Sequence, residues 1–215
     1  MIKRILLPIL IALVMVAGVV GLFYRGEAKA DFTVVSPGLA LQSATIYPSQ
    51  NYVLTATGFS PSERVELAIN GVRLAYGVAN GSGQYTSTVK IPTTLTQGSV
   101  TFRAKNDSGI AITTTTATLN PVLLVSSGQG SAGAAIRVQG FGFDAVESYT
   151  VTFTSAYSTS QATCITPGAV VSTTLVTGTT STVGSFNSNA TIPSVADGTY
   201  YLAGVGQSSA VCAVN

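Results

Sequence analysis

Histidine and tryptophan are absent from the 215 residues, and only two cysteines, two methionines, ten basic and eight acidic side chains are present. Each shortage excludes something. Without histidine the commonest general base is missing, and Ser–His–Asp or Cys–His catalysis is excluded outright. Two thiolates with scattered carboxylates make poor zinc geometry, so no metal and no cofactor is expected. Leu, Glu, Lys and Met are too few to build helices, and with no helix to open, no Gly-rich phosphate loop can form at one. Beyond residue 30, Arg64, Arg73, Lys90, Arg103, Lys105 and Arg137 are set against seven carboxylates. That near-balance leaves no basic field for nucleic acid.

Thr, Ser, Gly, Val and Ala dominate what remains. Sparse charge with β-branched and aromatic residues retained points to β-structure carrying a hydroxyl-rich surface, not to disorder. The first thirty residues differ. Lys3 and Arg4 precede an apolar run over residues 5–24, followed by Ala28-Lys29-Ala30. A basic start, an apolar stretch and small residues at an A-x-A site read as a signal peptide spanning 1–30. The run is also long enough to span a bilayer as an uncleaved anchor, with its amino end inside. Either way the bulk of the chain is expected outside the cytoplasm, secreted or on the cell surface, touching a membrane only through residues 5–24 if these are retained.

The chain repeats itself. Gly58-Phe59-Ser60-Pro61-Ser62-Glu63 is echoed by Gly142-Phe143-Asp144-Ala145-Val146-Glu147, and Ile91-Pro92 with Gly98 by Ile192-Pro193 with Gly198. Self-similarity over a domain-sized period means duplicated modules. Tyr52, Leu54 and Ala56 alternate with Val53, Thr55 and Thr57, the period of a half-buried strand. Asn70-Gly71 supplies the residues of a two-residue hairpin turn. Asn120-Pro121 marks the boundary between copies. The expected organisation is an extended segment at 31–38, a sandwich at 39–119 and a second at 120–215. The fold class is all-β: two tandem antiparallel β-sandwiches after an N-terminal hydrophobic signal or anchor helix. Leu54, Leu67, Ile91 and Phe102 are expected in one core, and Val138, Val151, Ile192 and Leu202 in the other.

The echo is 84 positions away at the first turn and 101 at Ile-Pro, which places an insertion at 155–176 of the second copy. Loops tolerate insertion, so this reads as an elaborated surface loop. It holds Cys164. An even cysteine count in an exported chain favours a disulfide, here Cys164–Cys212, with a metal site as the weaker competitor. Phe32-Thr33-Val34-Val35-Ser36-Pro37 has no counterpart in the second copy. It reads as an extended stalk, as a processed end, or as a strand offered to the sheet edge of a neighbouring molecule.

The pattern Gly-Phe-x-Pro-x-Glu-x-Val-x-Leu, then Asn-Gly, then Gly-Gln-Tyr with Ile-Pro-x5-Gly, resembles the Ig-like surface repeats of prokaryotic exported proteins, including IPT/TIG-like modules. The resemblance covers Gly58 to Ala104 and, with Ala145 in place of proline and an expanded hairpin, Gly142 to Leu202. It implies an Ig-like sandwich and a structural or binding role without naming a ligand.

Few groups remain for chemistry. A carboxylate pair of the glycoside-hydrolase type would have to come from Glu63, Glu66, Asp144 and Glu147, but glutamates at the two equivalent turns read as solvated surface charges. Tyr52, Tyr149 and Tyr200 fall on inward faces, whereas Tyr157, in the insertion, is the candidate contact residue. Asn80, Asn106 and Asn189 begin glycosylation sequons. The function expected is an extracytoplasmic, non-enzymatic structural or adhesive surface protein: a stalk, adhesin or filament subunit. The alternative is a carbohydrate- or protein-binding accessory module using loops of the second sandwich, and a carboxylate-based hydrolase is more remote. The partners implied are a cell-surface or extracellular protein or polysaccharide, with self-association as a further mode.

Overall fold

The structure is a computed structural model that describes residues 36–109, 112–158, 164, 166–207 and, as backbone, 212–214. The expected signal or anchor at 1–30, and Phe32 to Val35, lie outside the described residues. Among the described residues there are only strands.

Gly38–Leu41 (β1), Asn51–Thr57 (β3) and Tyr85–Lys90 (β6) form one sheet in the order β1-β3-β6. Facing it are Thr45–Ile46 (β2), Arg64–Ile69 (β4), Val72–Val78 (β5), Gly98–Asn106 (β7) and Ile112–Leu119 (β8), in the order β2-β8-β7-β4-β5. All pairings are antiparallel except that of β2 with β8. The pattern recurs downstream. Val122–Val125 (β9), Ala135–Phe141 (β10) and Phe186–Thr191 (β13) run β13-β10-β9. Ser148–Thr154 (β11), Ser172–Thr179 (β12), Tyr201–Gly206 (β14) and Cys212–Val214 (β15) run β12-β11-β14-β15. Two sheets whose strands are exchanged in this order make an Ig-like sandwich.

Duplication extends to irregularities. Both long hairpins carry a bulge at the same place, between Leu67 and Ala68 and between Val151 and Thr152. Ser49 N–H donates to the Ile91 carbonyl at 2.9 Å, as Gly133 N–H does to that of Ile192. Ser49 and Gly133 both have positive φ, and so do Ser62 and Val146.

Period-2 patterning places the cores. Tyr52, Leu54 and Ala56 on β3 meet Val65, Leu67 and Ile69 on β4 and Val100, Phe102 and Ala104 on β7, all buried. Burying a Leu, Ile or Phe side chain stabilises by about 1.5–3 kcal/mol. Leu54, Leu67, Ile91 and Phe102 are buried as expected, and so are Val138, Val151 and Leu202. Ile192 is not. It is half-buried where its counterpart Ile91 is 1% exposed. Tyr200, expected in the core, is also half-buried, its ring stacked on Phe153 at 4.7 Å between centroids.

The loop between β11 and β12 occupies 155–171, so Ser172 to Val176 of the expected insertion belong to β12. They pair with β11 because the register opposite Val151 and Thr152 reproduces that opposite Leu67 and Ala68. Cys164 lies within this loop yet is fully buried. Ser36-Pro37 does have a counterpart, since Asn120-Pro121 stands at the same 84-residue shift as the rest of the repeat.

Candidate functional site

The repeated turn, where an active carboxylate was weighed, is built around its glutamates. Ser60 N–H donates to Glu63 Oε2 at 2.8 Å, and Asp144 N–H to Glu147 Oε1 at 2.7 Å. Asn106 Nδ2 donates to Glu63 Oε1 at 2.6 Å. The solvated-charge expectation is therefore corrected: Glu147 is only 4% exposed and Glu63 is half-buried. A carboxylate that satisfies turn N–H groups can be enclosed because the charge-assisted bonds replace water. In the second copy the position of Asn106 is taken by Gly206, where a Cβ would collide with the Glu147 carboxylate. Absence of a side chain there makes room for the buried group. Glu66 instead sits 3.4 Å from Lys105 Nζ and 4.0 Å from Arg103 Nη2. No cluster of three or more potential metal ligands occurs among the described residues.

Asp144 leads to the contact between modules. Gln97 Nε2, in the loop before β7, donates to Asp144 Oδ2 at 3.0 Å. A Cβ placed on Gly142, whose φ is +79°, would lie 2.9 Å from Pro48 Cγ and 3.0 Å from Leu119 Cδ2. Only glycine takes that φ readily and admits this close approach. One end of the first sandwich (Pro48, Gln97, Leu119) thus interlocks with the turn end of the second (Gly142, Asp144). At the turn end of the first sandwich, Gly58 shows the same arrangement: Pro37 Cα packs against it as Pro121 Cα packs against Gly142.

The far end of the second sandwich is open. A cleft of about 910 Å³ is lined by apolar groups of Val125, Ile136, Phe153, Ile192 and Leu202, and rimmed by Asp197. Fully buried Ile46 of the first copy corresponds to Gly130, where the Ile192 side chain leans into the space a Cβ would use. Fully buried Leu119 corresponds to nothing within the described strand β15. Ile192 and Tyr200 are half-buried at this end, whereas Ile91 is 1% exposed.

Tyr157 is 42% exposed and packs edge-on against Tyr201, with centroids 4.8 Å apart, at the cleft margin. This aromatic pair joins loop and strand through contacts that sequence spacing alone does not reveal. Cys164 Sγ lies 3.5 Å from the Gly204 carbonyl oxygen, and Cys212 is the register partner of the adjacent Val205. Of the candidate strand donor, only Ser36 is described, and it is exposed. Asn106 is buried and bonded to Glu63, which leaves no room for a glycan, whereas Asn80 and Asn189 are exposed.

No family model matches the chain. No curated protein matches it either. Among solved structures it is similar to a tetra-tandem repeat from the extending region of a large adhesion protein, with 16% identity and a TM-score of 0.37 over 84% of this chain and 48% of that one. The chain thus spans about half of that repeat structure. It is similar to the Escherichia coli adhesin FdeC at 12% identity and a TM-score of 0.35, covering 85% of this chain and 64% of that one. Macromomycin matches 39% of the chain, and 99% of its own length, at 18% identity and a TM-score of 0.33.

Proposed function

We propose that this is an extracytoplasmic, non-enzymatic structural or adhesive surface protein whose two Ig-like sandwiches act as consecutive segments of a rod. The junction carries this reading. A short Asn120-Pro121 linker, the wedge of Pro48 and Leu119 against Gly142, and the Gln97–Asp144 bond hold one module on the next. Independent binding domains on a flexible tether need none of these. The N-terminal basic and apolar run supports export, and the buried or paired state of Glu63, Glu66 and Glu147 supports a scaffolding role for these carboxylates. A Cys164–Cys212 bridge fits the same compartment, because the backbone brings both cysteines to β14.

Small-angle scattering on the chain from Asp31 onward tests the rod. One distance distribution that is unchanged by salt but broadened in Gly142→Leu supports it; a broad distribution in the unaltered protein rejects it. The alternative, a carbohydrate- or protein-binding module, is favoured by one observation: the exposed Tyr157–Tyr201 pair beside an open cleft. Glycan-array binding that is abolished by Tyr157→Ala would establish it.

A further inference from the structure

The two sandwiches repeat each other closely enough to be compared position by position. Register pairs Arg103–Thr114, Ala104–Thr113 and Lys105–Ile112 of β7 and β8 recur, shifted by 100, as Ala203–Val214, Gly204–Ala213 and Val205–Cys212 of β14 and β15. In the first sandwich β8 continues to Gly98–Leu119, with Ala117 and Leu119 buried. Among the described residues no strand pairs on that side with Tyr201 or Leu202 of β14, and Gly198 to Tyr200, the counterparts of the start of β7, lie ahead of the strand. The cleft opens along this unpaired stretch.

A segment of matching length stands elsewhere in the chain. The 84-residue shift that relates Pro37 to Pro121 and Gly58 to Gly142 also relates Phe32, Thr33, Val34 and Val35 to Thr116, Ala117, Thr118 and Leu119. We infer that residues 32–35 of a second copy add to Tyr201 of β14 and the stretch that leads into it, in line with β15 and antiparallel, with Phe32, Thr33, Val34 and Val35 opposite Tyr201, Tyr200, Thr199 and Gly198. Main-chain bonds give the affinity and alternating side chains fix the register.

Each side chain then has a place. Val35 takes the buried position of Leu119 and enters the cleft beside Ile192. Phe32 lands on the outer face beside the Tyr157–Tyr201 pair, an aromatic cross-strand contact. Ser36-Pro37 passes onto Gly58 as Asn120-Pro121 passes onto Gly142. Asp197 stands at the position of Gln97, and Ser60 at that of Asp144. The polar pair of the internal junction is thus kept between copies with donor and acceptor exchanged. A chain cannot fill its own cleft: β3 and β10, seven residues each, separate Pro37 from the cleft end. At about 3.3 Å per residue those strands span about 46 Å, whereas four extended residues reach about 14 Å. Head-to-tail contacts of this kind are heterologous, and where the rotation between copies does not close the product is a filament.

This deepens the structural reading above, on which it rests. The test is a cysteine pair in the chain from Asp31 onward, Val34→Cys with Thr199→Cys. Directly opposed strand residues have Cα atoms about 4.5–5.5 Å apart, within disulfide reach. Under oxidation the double variant should give a ladder of multiples of the chain mass that collapses on reduction. Each single variant should stop at a dimer, and adding Val35→Asp should abolish the ladder. An equal ladder from the mis-registered pair Val34→Cys with Asn187→Cys, or no ladder at all, overturns the proposal. Scattering from the Val35→Asp chain separates the two readings. A rod that persists without a ladder in the unaltered register leaves the rod standing and removes the strand addition.

Discussion

Removing the Glu147 carboxylate should weaken the second sandwich far more than an ordinary surface substitution. The group is enclosed, its Oε1 receives the Asp144 N–H at 2.7 Å, and its own N–H donates to Thr180 Oγ1 at 3.0 Å. Thr180 Oγ1 in turn donates to the Asp144 carbonyl at 2.6 Å, so one hydroxyl and one carboxylate close the turn. Hydrogen bonds to charged groups contribute about 1.5–3 kcal/mol, and an orphaned buried N–H adds a desolvation cost of about 1–3 kcal/mol. Glu147→Ala also leaves a void against Gly206. About 3 kcal/mol is expected, which for a module of this size lowers the melting temperature by roughly 12–24 °C. Glu147→Gln keeps an acceptor of the same shape and should lose about half as much. Calorimetry with the two modules resolved as separate transitions is the assay, since a single two-state fit would mix them. A shift under about 3 °C in the second transition for Glu147→Ala would show that the carboxylate is not what holds this turn.

Val146 is 62% exposed with φ of +57°, a conformation costly for a β-branched residue, so Val146→Asn should raise the stability of the second sandwich by about 1 kcal/mol in urea titration. Burial raises the Tyr52 phenol above its ordinary value, against the opposing hydrogen bond from Tyr47 N–H. The native state therefore holds that proton where the unfolded chain has lost it. The stability it contributes is complete below about pH 10 and declines as pH rises toward the folded value. Unfolding followed from pH 9 to 11.5 should show a flatter decline for Tyr52→Phe. Reducing a Cys164–Cys212 bridge, which closes a loop of about 50 residues, should cost up to about 4 kcal/mol in the second sandwich alone; an unchanged second transition in reductant would rule the bridge out.

The turns and strands were legible because their causes are local. Asn70-Gly71 takes the φ values of a tight hairpin, and alternation of Tyr52, Leu54 and Ala56 with polar neighbours sends one face inward. Comparing the copies was enough to locate the expanded hairpin, although not its true end at Val171. The 84-residue shift of Ser36-Pro37 onto Asn120-Pro121 was also present in the sequence, but two residues carry little signal until both prolines are seen packed on glycines. Glu147 reads as a surface charge in one dimension, and only the fold shows Gly206 vacating the space beside it.

What the sequence by itself determined is the duplicated all-β plan, because strand period and turn chemistry act over a few residues. Tertiary structure alone decided that Ile192 is half-exposed while Ile91 is buried. The two occupy the same place in the same motif, but buried Ile46 of the first sandwich is matched in the second by Gly130, a position distant in the chain from Ile192. Burial is a property of what stands opposite, and the sequence around a residue does not contain it.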